Sequence, residues 1–313
     1  MTRRLSTTLL ILSIVITAIN AQEGDTGYQF LQVPTSAHSA ALGGVNVSII
    51  EDDPTLVFTN PALLANVSDK TLNLNFTSYI SSTSKLSAAF AKQAGERGTW
   101  AVAAMLLNYG KMTETNENFE ELGEFSAKDI SIQGGYTYLF SDYWSGGVQG
   151  KVIMSNYGEF KSTALGVDLG INYYDADHGL SVSLVGQNLG GQVKALYETN
   201  EKLPFNLVAG ISKDLANAPI RLSLTFDNIT DWDEKKPINH LTFGADIFPS
   251  STTWVAVGYN PRRGNEMKIG DSKHWAGLSL GAGLTLKKLK IGLAWGKYHV
   301  AASSLLINAS YTF

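Results

Sequence analysis

Apolar and polar residues alternate along most of the chain after residue 70. The run "IRLSLTFD" (220–227) places isoleucine, leucine and phenylalanine on one side and arginine, serine, threonine and aspartate on the other. "GLSLGAGLTL" (277–286) and the C-terminal "SSLLINASYTF" (303–313) repeat the pattern. A period of two is typical of a β-strand with one buried and one outward face. The pattern therefore predicts a chain made mainly of strands.

About fourteen strands follow from these runs and the turns between them. They lie near 71–80, 84–94, 98–109, 125–139, 144–157, 161–174, 178–188, 204–213, 219–228, 239–248, 252–261, 274–286, 289–298 and 302–313. Many approach the 9–11 residues that a tilted strand needs to cross a bilayer. Soluble strands are usually shorter, at about 5–6 residues.

Three features favour a membrane barrel over a soluble sandwich. Gly, Ser, Thr and Asn dominate the polar side of the strands, which suits a crowded interior better than a solvated surface. The strand number is even, and long connections alternate with short ones such as "AGERG", "YDADH" and "KKL". Long loops on one side and short turns on the other are typical of bacterial outer-membrane barrels. The fold class is therefore predicted to be all-β: an antiparallel transmembrane β-barrel of about fourteen strands, residues 71–313.

The first residues predict export from the cytoplasm. Arg3 and Arg4 precede an apolar run from Leu9 to Ile19, which ends near Ala21. This is the form of a secretory signal peptide, predicted to span 1–21, and the run is too short for a comfortable membrane span. Without it the chain has 22 basic and 28 acidic residues (24 − 2 and 28), a net charge of −6. That charge disfavours a nucleic-acid partner.

Residues 22–70 do not alternate. Asn60-Pro61 opens a predicted short helix "PALLANV", since asparagine caps helices and proline suits their first position. Gly43 and Gly44 permit a positive φ or a close backbone approach. The apolar stretches "SAALGG" and "NPALLA" favour burial, so this segment is predicted to plug the barrel. The alternative is a periplasmic linker, which would usually be more polar.

This segment resembles a known family. "FLQVPTSAHSAALGG" and "EDDPTLVFTNPALLA" are similar to the N-terminal signature of the PorV/PorQ family of the type IX secretion system, within the wider group of FadL-like barrels. The matching positions are Pro34, Ser36, Ala37, Ala40, Leu42, Gly43, Gly44, Asp52 or Asp53, Asn60, Pro61 and Ala62. The family pattern leads us to expect arginine where His38 stands, which leaves charge pairing there open. Length and loops are more similar to PorQ than to PorV.

The resemblance implies a non-enzymatic outer-membrane protein of a Gram-negative, Bacteroidota-like bacterium, with both termini in the periplasm. Implied partners are a PorZ-like surface protein, other components of the cargo attachment complex, outer-membrane lipid and lipopolysaccharide, and the barrel-assembly machinery. The alternative is a FadL-like transporter for a hydrophobic small molecule. The polar interior argues modestly against that alternative, because it offers no continuous apolar groove.

Candidate chemistry is sparse. The chain has no cysteine, no catalytic motif and no predicted cofactor or metal site. The terminal aromatics Tyr311 and Phe313 are interpreted as an assembly signal at the membrane interface. Candidate partner-binding residues in the long loops are Phe119, Glu120, Glu121, Tyr197, Asp231, Trp232, Arg262 and Arg263. The two arginines suit lipopolysaccharide phosphates, although such charges are more often simply solvated.

Overall fold

Fourteen antiparallel strands close into one barrel, in which every strand pairs with its neighbours in sequence and β1 pairs with β14. The strands are β1 (Thr71–Ser78), β2 (Ser84–Ala94), β3 (Gly98–Thr115), β4 (Glu121–Leu139), β5 (Trp144–Tyr157), β6 (Phe160–Asp175), β7 (Leu180–Lys194), β8 (Asn206–Asp214), β9 (Ile220–Phe226), β10 (Leu241–Ser250), β11 (Thr253–Tyr259), β12 (Leu278–Leu286), β13 (Leu289–His299) and β14 (Ala302–Thr312). The predicted fold class is confirmed.

The computed structural model describes residues 27–79, 82–116, 118, 120–195, 200–232, 236–266, 275–299 and 302–313. The predicted signal peptide, together with Phe119 and Tyr197, lies outside the described residues. Within these ranges no helix has the length and apolar character needed to cross a membrane.

The two faces of the wall differ as the alternation predicts. Large apolar side chains such as Leu74, Val102 and Leu293 are exposed on the outside. The neighbouring positions point inward and are small or polar; Asn73 and Gln149, for example, are fully buried. Because large apolar side chains exposed on every strand would be unfavourable in water, the outer face is suited to lipid.

Connections sort to the two ends of the barrel. One end, here the turn end, carries the connections 95–97, 140–143, 176–179, 215–219, 251–252 and 287–288, as well as Thr71 and Phe313. The other end, here the loop end, carries the longer connections 195–205, 227–240 and 260–277. At the turn end, the Phe313 amide donates to the Lys70 carbonyl at 3.1 Å. This bond extends the seam between β1 and β14.

Three strands run further than predicted at the loop end. β3 continues to Thr115, β4 begins at Glu121 and β7 continues to Lys194, so the predicted loops 109–125 and 188–204 are partly strand. In these extensions glycine, polar and charged residues interrupt the alternation on both faces, which weakens the period of two, although Leu122 and Val193 are exposed apolar side chains within them. Backbone pairing and cross-strand contacts such as Lys111 to Glu124 at 2.7 Å still hold them in register.

Short helices occupy the remaining segments. They are η1 (Gln29–Gln32), α1 (Ala37–Ala41), η2 (Pro54–Phe58), η3 (Pro61–Asn66), η4 (Pro237–His240) and α2 (Pro261–Glu266), where η denotes a 3₁₀-helix. η3 is the predicted "PALLANV" helix and begins at Pro61 with Asn60 as its cap, but it is 3₁₀ rather than α. α1 and η2 escaped prediction because each is only five residues long.

Candidate functional site: residues 27–70 inside the barrel

Residues 27–70, here the luminal segment, lie inside the barrel. α1 contacts the inner faces of β11–β14, whereas η2 contacts β1–β3 and η3 contacts β3–β6. The segment therefore crosses the lumen from one wall to the opposite one. It starts near the loop end, where Tyr28 bonds Ser162 at 2.9 Å, and it leaves at the turn end through Thr71.

Side-chain caps define the turns of this segment. The Ser36 hydroxyl accepts from the Ser39 amide at the start of α1. Asp53 and Asn60 accept from the amides of Thr55 and Ala62 at 2.9 and 3.0 Å, and each precedes a proline. Gly43 and Gly44 have φ values of 98° and 90°, which agrees with the positive φ predicted for them. Non-glycine residues adopt such angles only with strain.

Inward glycines of the wall make room for the luminal segment. A β-carbon on Gly258 would lie 2.1 Å from the Gly43 amide nitrogen and 2.2 Å from the Leu42 carbonyl carbon. One on Gly147 would lie 2.4 Å from the Pro61 carbonyl carbon. Since these are backbone atoms that cannot rotate away, the wall and the signature residues are in direct backbone contact. The buried apolar side chains Leu42, Ile49, Leu56, Leu63 and Leu64 fill the space between.

His38 joins the luminal segment to the wall through two carboxylates. Its Nδ1 lies 2.9 Å from Glu51 Oε2, and its Nε2 lies 2.7 Å from Asp246 Oδ1 of β10. The ring stacks on Trp254 with centroids 3.9 Å apart. Burial alone would lower the pKa of His38, but Glu51 and Asp246 outweigh it and raise the pKa to about 10. The imidazolium thus supplies a buried positive charge between the luminal segment and the wall.

Three further basic side chains bind the same segment. Lys85 of β2 donates to the Val33 carbonyl at 2.5 Å and to the Thr35 hydroxyl at 2.7 Å. Lys290 of β13 pairs with the Asp52 carboxylate and donates to its carbonyl. Arg263 of α2 donates to the Gly43 carbonyl at 3.0 Å.

A cavity of about 230 Å³ lies beside His38, between the luminal segment and the wall. Its lining includes Glu51, Asp52, Arg221, Trp254 and Lys290. Pockets for drug-sized ligands are typically larger and predominantly apolar. This cavity is small and strongly charged, so it does not suit a hydrophobic ligand.

The predicted residues fall into two groups. The signature residues Pro34, Ser36, Ala37, Gly43, Gly44, Asp53, Asn60, Pro61 and Ala62 all lie buried in the luminal segment. Among the loop candidates, Arg263 contacts that segment, Arg262 pairs with Glu266 at 2.8 Å, and Trp232 stacks on His240. Glu120 and Glu121 lie at the tip of the β3–β4 hairpin, whereas Asp231 adjoins Trp232, and η4, which carries His240, contacts α2. Among the described loop candidates, Asp231, Trp232, Arg262 and Arg263 therefore lie on or beside the neighbouring elements η4 and α2, and Glu120 and Glu121 lie on a different hairpin.

The terminal aromatics Tyr311 and Phe313 pack edge to face with ring centroids 5.1 Å apart at the turn end. Their assembly role stays a prediction. Sequence reasoning missed the inward charges Lys85, Asp246 and Lys290. The alternation could have located them, because each of the three occupies a strand position whose side chain points into the barrel.

Solved structures of other proteins share this architecture. The Pseudomonas putida toluene transporter TodX superposes with a TM-score of 0.59 at 12% identity, covering 88% of this chain and 96% of that one. The CymD monoaromatic hydrocarbon channel gives 0.59 at 13% identity, covering 90% and 98%. A TodX variant described as deltaS2S3 gives 0.61 at 11% identity, covering 90% and 99%.

The chain has the fold of these hydrocarbon channels. No protein-family profile and no curated protein matches the sequence. At such low identity the likeness concerns the fold and leaves the activity open.

Proposed function

We propose that the chain is a non-enzymatic outer-membrane barrel, closed by the luminal segment as a plug, that docks a protein at the cell surface. The turn end, with Phe313, faces the periplasm and the loop end faces outward. The first described residues, beside Ser162, then lie at the outward end, so this orientation keeps the predicted periplasmic side for the C-terminus alone. The sequence resemblance supports a finer proposal, in which the partner is a PorZ-like component of the type IX attachment complex.

The main support for this proposal is the length of the strands on one side of the barrel. β4 has 19 residues, and at about 3.3 Å per residue it measures roughly 60 Å, about twice the span of the 9–11 residues that a bilayer crossing needs. β3, β6 and β7 have 18, 16 and 15 residues. At the loop ends of these tall strands, Leu122 and Val193 are 62% and 66% exposed and Phe160 is 48% exposed. Apolar side chains held beyond the lipid are suited to a protein partner.

The filled lumen supports docking over passage. The luminal segment meets the wall through backbone contacts at glycines, through the buried His38–Asp246 ion pair on one side of the barrel and through buried hydrogen bonds from Lys85 on the other. Removing such a segment would leave several charged groups without partners, which is costly. A permanent plug suits a protein that acts through its outer surface.

The docking proposal is tested by replacing Leu122 and Val193 with serine. Leu215→Ser is the matched control, because Leu215 is an exposed leucine at the turn end. The measurements are the amount of the PorZ-like protein that co-purifies with the barrel, and the amount retained on intact cells. We expect the double variant to lose most of both, and the control to lose neither. Unchanged recovery with the double variant would overturn the docking surface.

A second candidate is transport of a hydrophobic small molecule, and the fold shared with TodX and CymD favours it. The variant with serine at Leu122 and Val193 distinguishes the two functions, because it changes the outer surface and leaves the lumen unchanged. Uptake of a monoaromatic hydrocarbon by cells with and without the chain is the direct measurement. Barrel-dependent uptake that survives in the double variant, with retention of the surface protein also unchanged, would establish transport instead.

A further inference from the structure

The acidic run Glu51–Asp52–Asp53 contains one carboxyl that differs from the other two. Glu51 pairs with His38 and Asp52 pairs with Lys290. Among the described residues, Asp53 has no cationic partner, although its side chain is almost completely buried. A buried carboxylate without a counter-charge is strongly disfavoured, so the group must be stabilised in another way.

The hydrogen bonds around Asp53 suggest how its carboxyl group is stabilised. Its Oδ1 accepts from the Thr55 amide and from Asn73 Nδ2, both at 2.9 Å. Within the part of the chain that the structure describes, its Oδ2 has no hydrogen-bond partner, and neither has Oδ1 of the same Asn73. Asn73 is fully buried on β1. Two buried acceptor oxygens thus belong to side chains that already share one hydrogen bond.

We propose that Asp53 is a proton-binding site. A proton on Oδ2 lets the carboxyl donate to Asn73 Oδ1 while Asn73 Nδ2 continues to donate to Asp53 Oδ1. The two side chains then form a cyclic acid–amide pair with both hydrogen bonds made. This pair fastens the luminal segment to β1, the strand that closes the barrel with β14.

The charges around the site favour the bound proton. Burial raises the pKa of Asp53 most, and the Glu51 carboxylate raises it further, to about 7. The hydrogen bonds from Thr55 and the charge of Lys290 act in the opposite direction but are weaker. Asp52 is the other neighbouring carboxylate and is engaged with Lys290. On the strands that pack against η2, Lys85 of β2 faces the lumen and is bound to Val33 and Thr35.

The direction of the pH effect follows from the raised pKa. Opening of the luminal segment exposes Asp53 to water, where its pKa returns to about 3.9. The stabilisation is therefore complete below that value and is lost as the pH rises to about 7. Between these limits the opening equilibrium should increase roughly tenfold per pH unit, and it should level off above about pH 7.5.

Asp53→Asn is the matched variant. Its amide donates to Asn73 Oδ1 without a proton being bound, and its oxygen still caps η2. Amide hydrogen exchange of residues 54–67 is measured for both proteins in detergent. Because the intrinsic exchange rate cancels in the ratio, wild type relative to Asp53→Asn should show the tenfold rise per unit between about pH 4.5 and 6.5. A ratio that stays constant across this range overturns the proposal.

Infrared difference spectra between the same two proteins test the proton directly. The wild type should show a protonated-carboxyl band at pH 6 that disappears with a midpoint near pH 7. Asn73→Leu should retain the band but shift it to the position of an unbonded carboxyl. If Asp53→Asn fails to fold, the pH titration of wild type against Asn73→Leu gives the same information. Absence of the band at pH 6 overturns the proposal, and exchange that instead follows sodium or calcium concentration identifies a cation site.

Discussion

At the scale of single residues, His38 shows how one side chain connects distant parts of the chain. Its two ring nitrogens meet carboxylates at positions 51 and 246. The resemblance led us to expect an arginine where this histidine stands, and the departure left charge pairing at this position open. The contact partner is more than two hundred residues away, and no local pattern encodes it.

This residue predicts a dependence of stability on pH. The pKa of His38 is about 10 in the folded protein and about 6.5 when exposed. Its stabilisation is therefore complete below pH 6.5 and is lost as the pH rises to about 10. Thermal unfolding in detergent should show this loss in wild type. His38→Gln should already be less stable than wild type at pH 6.5, by about 3–5 kcal/mol. Its free energy of unfolding should not show the decrease between pH 6.5 and 10 that His38 causes in wild type.

Gly258 predicts a steric effect. Its substitution by alanine forces the β-carbon against the backbone of Leu42 and Gly43 and should destabilise the protein by about 1–3 kcal/mol. Gly150→Ala on β5 is the control, because nothing lies within 4 Å of its β-carbon position. Chemical unfolding in detergent measures both. Equal stability of the two variants would contradict the contact.

At the scale of elements, the alternation located all fourteen strands, and β2 and β5 match to the residue. It worked because lipid outside and a crowded interior impose opposite side-chain preferences on neighbouring positions. Beyond the lipid this contrast disappears, which is why the ends of β3, β4 and β7 were predicted as loops. The short helices of the luminal segment are held by wall contacts rather than by their own length, so they left little periodicity to detect.

The outer part of the long β3–β4 hairpin should not be needed for the barrel to fold. Removing 113–124 and joining Met112 to Phe125 through an Asn-Gly turn preserves the pairing below. We expect the thermal midpoint to change by only a few degrees. Removing 101–107 with its partners 129–135 takes away wall that faces lipid and should prevent folding. If removing 113–124 also abolished folding, the outer part of the hairpin would be needed for the barrel to fold.

At the scale of the whole molecule, the outer face predicts dependence on an amphiphile. Exposed apolar side chains surround the barrel, and burying each large one stabilises by about 1.5–3 kcal/mol. Diluting the detergent below its micelle-forming concentration should therefore cause association, measured by sedimentation. A monomer that stays folded in plain buffer would contradict a membrane location.

The path of residues 27–70 also constrains the order of folding. The segment extends from beside Ser162 near the loop end to Thr71 at the turn end, so a finished ring would have to take in this whole length through one of its mouths. Assembly is simpler if the other strands first curl around this part as an open sheet. The last step is then the pairing of β14 with β1, which encloses residues 27–70 within the barrel.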